Sequence, residues 1–291
     1  MTRALILGAG YSGQAIAREL IEEVEFVAGT TRSTEKAAAF AAIGIEPLLY
    51  AGEGFSPELA DILREATCVV VSIAPDKGGD PVMADLRRLG GETMPELRWI
   101  CYLSTVGVYG DHGCAWVDEE SPCRPTSARS RWRLEAEGAW TAFGRDRNIP
   151  VTILRLPGIY GPGRNAFVNL VEGTARRIVK PGQVFNRIHV ADIAGAVCYL
   201  MRAKPDGIFN LSDDEPSPPQ DVVAFAAGLM GIEPPPEIPF EEANLSPMGR
   251  SFYSECKRVS NGKLKTSGYR LRYSSYREAL ASMWRENVWR G

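Results

Sequence analysis

Apolar residues come in short runs along the first half of the chain. The runs RALILG, EFVAGT, IEPLLY, CVVVSIA, RWICYLS and VTILRL occupy residues 3–8, 25–30, 45–50, 68–74, 98–104 and 151–156. Uninterrupted apolar runs of this length are typical of strands buried on both faces, as in a parallel sheet. We therefore predict a strand at each of these positions.

Segments with helical character separate these runs. They cover residues 12–23, 33–43, 57–66, 82–94 and 127–146. Ser33 and Ser56 are suited to cap the helices that follow them, and Pro57 suits a first helical turn. Regular alternation of strand and helix predicts an α/β fold with a doubly wound parallel sheet, the Rossmann arrangement.

The overall composition narrows the classes of partner. The chain has 291 residues and a net charge of −3, without a basic run. This argues against nucleic acid or an anionic membrane surface as partners, and no apolar run reaches the ~18 residues that span a bilayer. The N-terminal MTRALILGAG leads directly into a strand. We expect a cytoplasmic protein, a monomer or homodimer, that acts on a small-molecule substrate.

Cysteine and histidine usage indicates neither a disulfide scaffold nor a metal site. The six cysteines contain no CxxC pair, and Cys68, Cys101 and Cys198 lie within apolar runs. Reduced thiols fit this pattern better than disulfides. Only His112 and His189 are present, without ligand spacing around them, so we expect no metal.

A glycine turn follows the first predicted strand. Gly8, Gly10 and Gly13 have G-x-G-x-x-G spacing between a strand and a helix. The first glycine permits a tight turn, the second lets the backbone approach a pyrophosphate, and the third allows close helix–strand packing. Glycines also make simple turns, but the surrounding strand–helix–strand context favours dinucleotide binding at the helix N-terminus.

The second predicted strand ends without the acidic residue of an NAD site. Thr30, Thr31 and Arg32 stand where Asp or Glu usually binds the ribose hydroxyls. A guanidinium there can pair with a 2′-phosphate, so we predict NADP (NADPH) in preference to NAD. The alternative is that Arg32 is a solvated surface arginine.

Five further segments, in order along the chain, resemble one family. They are YLSTVGVYG (102–110), ILRLPGIYGPGRN (153–165), RIHVADIAGAVCYLM (187–201), GIFNLSDDEP (207–216) and ECKRVSNGKLKTSGYRLRYSSYREAL (255–280). They are similar to motifs of the extended short-chain dehydrogenases/reductases, also described as NAD-dependent epimerase/dehydratases. The spacing of the first glycine turn resembles the atypical branch of that superfamily.

The resemblance implies a domain organisation and a set of cofactor contacts. We predict an NADP-binding Rossmann domain over residues 1–156. Residues 157–291 would mainly form a smaller C-terminal α+β substrate lobe, with about 184–212 returning to the Rossmann domain. The residues expected at the cofactor are Gly8, Gly10, Tyr11, Ser12, Gly13, Thr31, Arg32, Ala74, Ser104 and Arg133.

The resemblance also shows where this chain departs from the family's catalytic pattern. Thr105 lies at the position of the hydroxyl that hydrogen-bonds the substrate oxygen. The family's Tyr-x-x-x-Lys pair falls on Arg129 and Arg133 when Leu134 and Glu137 are aligned. Arg133 can retain the charge and a ribose contact, whereas Arg129 cannot transfer a proton and would instead bind a substrate anion.

Other candidate residues have both functional and structural interpretations. Tyr109 is the best replacement acid, although the family keeps a tyrosine there for packing. Arg164 and Asn165 are expected to bind substrate, or to form an exposed turn. His189 and Asp192 fit a structural role at a strand–helix junction.

Two functions remain open from the sequence. One is an NADP(H)-dependent oxidoreductase or epimerase that acts on a small anionic or sugar-like substrate without the usual tyrosine. The other is a non-catalytic NADP(H)-binding sensor or scaffold, because no replacement acid is evident.

Overall fold

The computed structural model describes residues 2–90 and 93–291. The strands are β1 (Arg3–Leu7), β2 (Phe26–Thr31), β3 (Glu46–Leu49), β4 (Cys68–Val71), β5 (Trp99–Thr105), β6 (Trp116–Val117), β7 (Val151–Leu156), β8 (Gly158–Tyr160), β9 (Arg177–Val179), β10 (Arg187–His189), β11 (Gly207–Asn210), β12 (Glu237–Pro239) and β13 (Arg258–Val259). The helices are α1 (Tyr11–Ile21), α2 (Thr34–Ala41), α3 (Pro57–Glu65), α4 (Pro81–Leu89), α5 (Ala128–Arg147), α6 (Ala166–Val171), α7 (Val190–Ala203), α8 (Pro219–Met230), α9 (Pro247–Phe252), α10 (Gly262–Thr266) and α11 (Tyr276–Arg285).

A seven-stranded sheet carries the nucleotide-binding motifs. Its strand order is β11-β7-β5-β4-β1-β2-β3, and β1 pairs in parallel with both β2 and β4. The chain leaves β1 toward β2 and β3, then continues on the other side from β4. Ligands of such sheets bind at the carboxyl ends of the strands where the order reverses, here between β1 and β4. The predicted doubly wound α/β fold is confirmed.

Burial explains why the strands could be located from apolar runs. Every residue of β4 and β7 is buried. Such strands need apolar side chains on both faces, so they lose the alternating pattern of a half-exposed strand. The helices begin where their caps predict: Ser33 and Ser56 accept hydrogen bonds from the N–H groups of Lys36 and Leu59.

Helix α4 is shorter than the predicted segment 82–94. It ends at Leu89 because Gly90 follows with a φ of +64°, a left-handed backbone conformation that stops a helix. Residues 91 and 92 lie outside the described residues, as does Met1, where the predicted first domain begins.

The described residues form two compact units. The first unit contains those within Met1–Val108, Ser127–Arg155 and Ile193–Phe209, and the second those within Tyr109–Thr126, Leu156–Asp192 and Asn210–Gly291. The domain limits given by the sequence, 1–156 and 157–291, stay a prediction.

Each unit has its own apolar core. In the first unit, side chains from the sheet pack with α3, α4 and α5 around Tyr102 and Trp140. In the second unit, α6, α8 and α11 pack around Phe167, Tyr276 and Trp289. Short parallel pairs, β8 with β10, β9 with β12 and β6 with β13, complete the second unit.

One disulfide corrects the expectation of reduced thiols. Cys114 and Cys256 are bonded, with an S–S distance of 2.10 Å and a Cα–Cα distance of 4.4 Å. Pairing of β6 with β13 brings these two segments together, and the N–H groups of His112 and Cys114 both donate to the carbonyl of Cys256. Because 142 residues separate the pair, sequence spacing gave no indication of it.

Within residues 2–90 and 93–291, no helix is both long and apolar enough to cross a membrane. Over the same residues, no group of three or more His, Cys, Asp or Glu side chains is arranged to hold a metal ion.

Candidate functional site

The glycine turn between β1 and α1 has the geometry that its spacing predicts. Gly8 has a φ of +93°, and a Cβ atom there would lie 2.7 Å from Cγ1 of Ile73. A Cβ on Gly13 would lie 2.8 Å from the carbonyl oxygen of Gly8. Both glycines are therefore required by the turn itself.

Gly10 is different, because its surroundings are open. A Cβ built there meets no described atom within 4 Å. Gly10 is also the N-cap of α1, and no side chain caps this helix. The N–H groups of the first turn, at Ser12 and Gly13, therefore lie at a positive helix end that no side chain caps. A pyrophosphate fits such a position.

Thr30 holds the turn against β2. Its buried hydroxyl accepts a hydrogen bond of 2.7 Å from the N–H of Gly8, and its carbonyl accepts one of 2.8 Å from the N–H of Ala9. This role of Thr30 was not predicted. A threonine at the end of a strand beside a glycine turn was the available signal.

The residues expected to select the cofactor follow Thr30. Thr31 is half-buried, and its hydroxyl accepts from the N–H of Ser33 at 3.2 Å, at the start of α2. Arg32 is exposed and makes no side-chain hydrogen bond or ion pair among the described residues. Its guanidinium therefore remains available beside the glycine turn.

Ala74 lies beyond β4, at the same edge of the sheet as the glycine turn. It is exposed, and the preceding Ile73 packs beneath Gly8. The N–H of Ser72 donates to the carbonyl of Leu7 at 2.8 Å, which continues the β1–β4 pairing up to this edge. A small residue here leaves room above the strand ends.

Ser104, near the end of β5, is buried in a polar network of the first unit. Its hydroxyl donates to Oε1 of Glu137 on α5. Glu137 also accepts from Nε and Nη2 of Arg155 on β7, at 3.2 and 2.8 Å. This arrangement gives no support to the cofactor contact expected of Ser104, because its hydroxyl already donates within the protein. The pairing of Glu137 with Arg155 was missed, since 18 residues separate them.

Thr105 ends β5 and is half-buried. Its Oγ1 accepts a hydrogen bond of 3.1 Å from the N–H of Gly107. The hydroxyl proton makes no hydrogen bond among the described residues, so it can be donated to a substrate oxygen.

Arg133 lies in the second turn of α5, and its side chain is held against β5 by hydrogen bonds. Its Nη1 donates to the carbonyl of Leu103 at 2.8 Å and to the hydroxyl of Tyr102 at 3.2 Å. The guanidinium also lies 5.5 Å from the centre of the Tyr102 ring. Burial raises the pKa of Tyr102, and the nearby Arg133 partly opposes that shift. Arg133 thus places a fixed positive charge beside the end of β5.

Arg129 is exposed in the first turn of α5, four residues before Arg133. The next residue, Ser130, is buried, and its hydroxyl lies close to Gly107. A Cβ on Gly107 would lie 2.9 Å from Oγ of Ser130 and 3.4 Å from Oγ1 of Thr105. The two hydroxyls therefore flank Gly107, and Ser130 becomes a candidate site residue that its sequence position did not indicate.

Tyr109 does not have the surroundings of a catalytic acid. It belongs to the second unit, its side chain is fully buried, and its hydroxyl donates to Oδ1 of Asn210 at 2.8 Å. Nε2 of His112 lies 3.1 Å from the carbonyl oxygen of Tyr109, which ties both residues to the local backbone. A phenol that is buried and bonded in this way favours the packing interpretation, and the acid role stays a prediction.

The two residues expected to bind substrate differ in their environment. Asn165 is buried and caps α6: its Oδ1 accepts from the N–H groups of Phe167 and Val168, and its Nδ2 donates to the carbonyls of Gly161 and Trp289. These four bonds use the whole capacity of the amide. Arg164 is exposed and lines a pocket of the second unit. Asn165 lines the same pocket, and the substrate contacts expected of both residues stay predictions.

His189 and Asp192 join segments of the second unit. Burial lowers the pKa of His189 to about 4, so the ring is neutral at pH 7. Asp192 accepts from the N–H groups of Arg272 and Tyr273, at 2.6 and 3.2 Å, and burial raises its pKa to about 6. These contacts match the structural role expected from the sequence.

Comparison with known proteins places this geometry in a family. The model of the NAD dependent epimerase/dehydratase family matches residues 92–212. The solved structure of a functionally unknown conserved protein from Silicibacter pomeroyi is 45% identical, has a TM-score of 0.88 and covers 99% of each chain. The chain belongs to the NAD-dependent epimerase/dehydratase family.

Other relatives are more distant. Protein YeeZ of Escherichia coli (strain K12) is 27% identical over 263 residues, which cover 81% of this chain and 86% of that protein. A human epimerase family protein, 16% identical with a TM-score of 0.72 over 98% of this chain and 99% of its own, shares the fold. The family resemblance that the sequence motifs indicated is confirmed.

This chain departs from the catalytic pattern of the epimerase/dehydratase family at one position. The resemblance places a tyrosine acid at position 129, where this chain has an exposed arginine. A guanidinium stays protonated throughout the range in which enzymes work and cannot exchange a proton with substrate. The fixed Arg133 and the free hydroxyl proton of Thr105 can still bind and orient a substrate oxygen and a ribose.

Proposed function

We propose that this protein binds NADP(H) at the glycine turn and acts as an oxidoreductase or epimerase on a small anionic or sugar-like substrate. The observation that carries the proposal is the uncapped N-terminus of α1, where Gly10 faces open space beside the exposed Arg32. The pyrophosphate would bind at the N-terminus of α1, and the 2′-phosphate would bind at Arg32.

The steric roles of the three glycines in the turn support dinucleotide binding. Gly8 and Gly13 are needed for its shape. A Cβ on Gly10 would meet no described atom within 4 Å, so the absence of a side chain there serves a group that approaches from outside. Thr30 links the turn to β2, so the residues after β2 are held close to the phosphates. A human protein of this fold has been solved with NADPH, which supports a nicotinamide cofactor here.

The preference for NADP(H) rests on Arg32. A guanidinium can bind a phosphate through two parallel N–H groups, and Arg32 has no partner of its own among the described residues. We expect Arg32→Ala to weaken NADPH binding about tenfold and to change NADH binding little, since a charge-assisted hydrogen bond contributes roughly 1.5–3 kcal/mol. Arg87→Ala is the matched control, because Arg87 is also exposed and has no partner among the described residues.

Calorimetric titration of both cofactors into both variants tests this site. Micromolar NADPH binding that weakens in Arg32→Ala and is unchanged in Arg87→Ala supports it. Tighter binding of NADH than of NADPH would overturn the cofactor preference. Failure of both cofactors to bind would overturn the oxidoreductase proposal while leaving the fold untouched.

When bound, the nicotinamide would supply the hydride chemistry. Thr105 would donate its hydroxyl proton to the substrate oxygen, and Arg133 would contact the nicotinamide ribose. Arg129 would attract a carboxylate or phosphate of the substrate from the first turn of α5. Proton transfer would then involve a group other than a tyrosine at position 129.

A non-catalytic NADP(H) sensor is the second candidate. The buried hydroxyl of Tyr109, already bonded to Asn210, favours it by removing the best replacement acid. The two candidates differ in turnover. An oxidoreductase transfers the label of deuterated NADPH to a substrate, an epimerase transiently reduces bound NADP⁺ when its substrate is added, and a sensor does neither. Thr105→Val would abolish label transfer without weakening NADPH binding if Thr105 holds the substrate.

A further inference from the structure

A pocket of the second unit is lined in part by Arg164 and Asn165, the two residues expected to bind substrate. It measures about 440 Å³ and lies among β8, α6, α8 and α11. Its lining includes Tyr160, Arg187, Val222, Val223, Tyr276 and Leu280. Pockets of roughly 300–1,000 Å³ hold small-molecule ligands.

One edge of the Arg187 guanidinium makes no hydrogen bond within the described residues. Nη1 donates to the carbonyls of Phe185 and Ser217, at 3.0 and 3.2 Å, and to the hydroxyl of Ser217 at 2.8 Å. Among the described residues, Nε and Nη2 make no hydrogen bond. Three acceptors therefore fix the guanidinium through one nitrogen and leave the opposite edge for a ligand with two parallel acceptor atoms.

The charge of Arg187 also lacks an ion pair. No carboxylate oxygen in the described part of the chain lies within ion-pair distance of it, although Asp213 and Glu215 are near enough to interact electrostatically and the Tyr276 ring centre lies 5.9 Å from the guanidinium. Burial raises the pKa of Asp213 to about 7, so at neutral pH it carries only part of a charge. A desolvated cation without a full counter-charge is unfavourable, and an anion in the pocket would relieve that cost.

The remaining lining describes the body of the ligand. Val222, Val223 and Leu280 are apolar, and the exposed Arg164 and Glu172 add charges of opposite sign. The hydroxyls of Tyr160 and Tyr276 are buried and have no hydrogen-bond partner among the described residues. The free edge of Arg187 favours acceptor atoms, and the apolar walls favour an apolar group beside them.

We propose that this pocket binds a small carboxylate with an apolar body, held by the Nε and Nη2 edge of Arg187. The proposal does not depend on the nucleotide site, because all of its residues belong to the second unit and its test requires no cofactor.

Calorimetric titration of phenylacetate and isovalerate into the full chain, without nucleotide, tests the ligand class. Each acid is paired with its amide, which has the same shape without the charge. We expect each acid to bind about tenfold more tightly than its amide, since hydrogen bonds to charged groups are the stronger ones. Equal binding of acid and amide, or no binding of either acid, would overturn the proposal. Inorganic phosphate binding as tightly as phenylacetate would show a general anion site and would overturn it as well.

Two variants locate the binding. Arg187→Lys keeps the charge but loses the two-pronged edge, and we expect at least about tenfold weaker binding of phenylacetate. Val223→Phe fills the pocket without touching the bonds of Arg187, and should weaken binding as much. Val171→Phe adds the same bulk to an exposed residue of α6 that does not line the pocket, and should leave binding unchanged. Retention of wild-type affinity in Val223→Phe would place binding elsewhere and overturn the proposal.

Discussion

Two arginines on strands illustrate how the two units use buried charge. Arg155, on β7 of the first unit, pairs with Glu137 through two hydrogen bonds, and Glu137 also accepts from Ser104. Arg187, on β10 of the second unit, bonds only to carbonyl and hydroxyl oxygens among the described residues. The first arginine has its counter-charge within the protein, and the pair supports the fold. The second makes no ion pair among the described residues, which suits the ligand proposed above.

The largest effect on stability is expected when the pair of Glu137 and Arg155 is broken. Glu137→Ala leaves Arg155 buried without its counter-charge, so we expect the free energy of unfolding to fall by about 3–5 kcal/mol. Glu135→Ala, two residues earlier on the exposed side of α5, should change it by less than about 0.5 kcal/mol. Denaturant titration measures both, and similar losses in the two variants would remove the contrast between the arginines.

The pH dependence of stability tests the surroundings of Arg187, through the nearby carboxyl of Asp213. Burial raises the pKa of Asp213 to about 7, whereas an unfolded Asp titrates near ~4. The folded state therefore holds the proton longer than the unfolded state, and this contribution to stability is lost as pH rises from about 4 to about 7. The asparagine of Asp213→Asn does not titrate, so this variant has no such pH-dependent loss. Its stability relative to wild type should therefore increase by up to about 4 kcal/mol between pH 4 and pH 8.

Denaturant titrations of wild type and Asp213→Asn across that pH range give the difference directly. His189 and Asp192 also titrate with shifted pKa values, but both are present in the two proteins and largely cancel in the comparison. A difference that is constant with pH would show that Asp213 ionises normally in the folded protein.

The smallest effect compares two buried phenols. The hydroxyl of Tyr50, in the first unit, donates to Oδ2 of Asp85 at 2.7 Å, whereas that of Tyr160, in the second, has no partner among the described residues. Tyr50→Phe should cost about 1–3 kcal/mol, because it removes a hydrogen bond to a charged group. Tyr160→Phe should be neutral or slightly stabilising in thermal unfolding. A similar loss in Tyr160→Phe would mean that its hydroxyl is bonded within the folded protein.

The fold was predictable because its signals are local. The runs of β4 and β7 are apolar throughout, and the serines before α2 and α3 cap them as their positions predict. The glycine turn was equally readable, since each glycine answers a steric requirement within a few residues. Helix α4 was overestimated only because the effect of Gly90 on its C-terminus was overlooked.

The candidate site was less predictable because its polar groups depend on distant partners. Nothing near Tyr109 in sequence shows that its hydroxyl meets Asn210, 101 residues later. The pairing of Glu137 with Arg155 is likewise a matter of packing between α5 and β7. The cofactor preference, the role of Thr105 and the substrate contact of Arg164 stay predictions, since each concerns a bound molecule.

The bond between Cys114 and Cys256 makes redox conditions part of every stability measurement on this chain. It closes a ring of well over a hundred residues, and such a ring restricts the unfolded chain far more than the folded one. In the chain-entropy account, a link of this span contributes roughly 4–5 kcal/mol, as much as the largest substitution effect expected above. A variant and its control compared with different thiol reagents would report the state of the ring rather than the substitution.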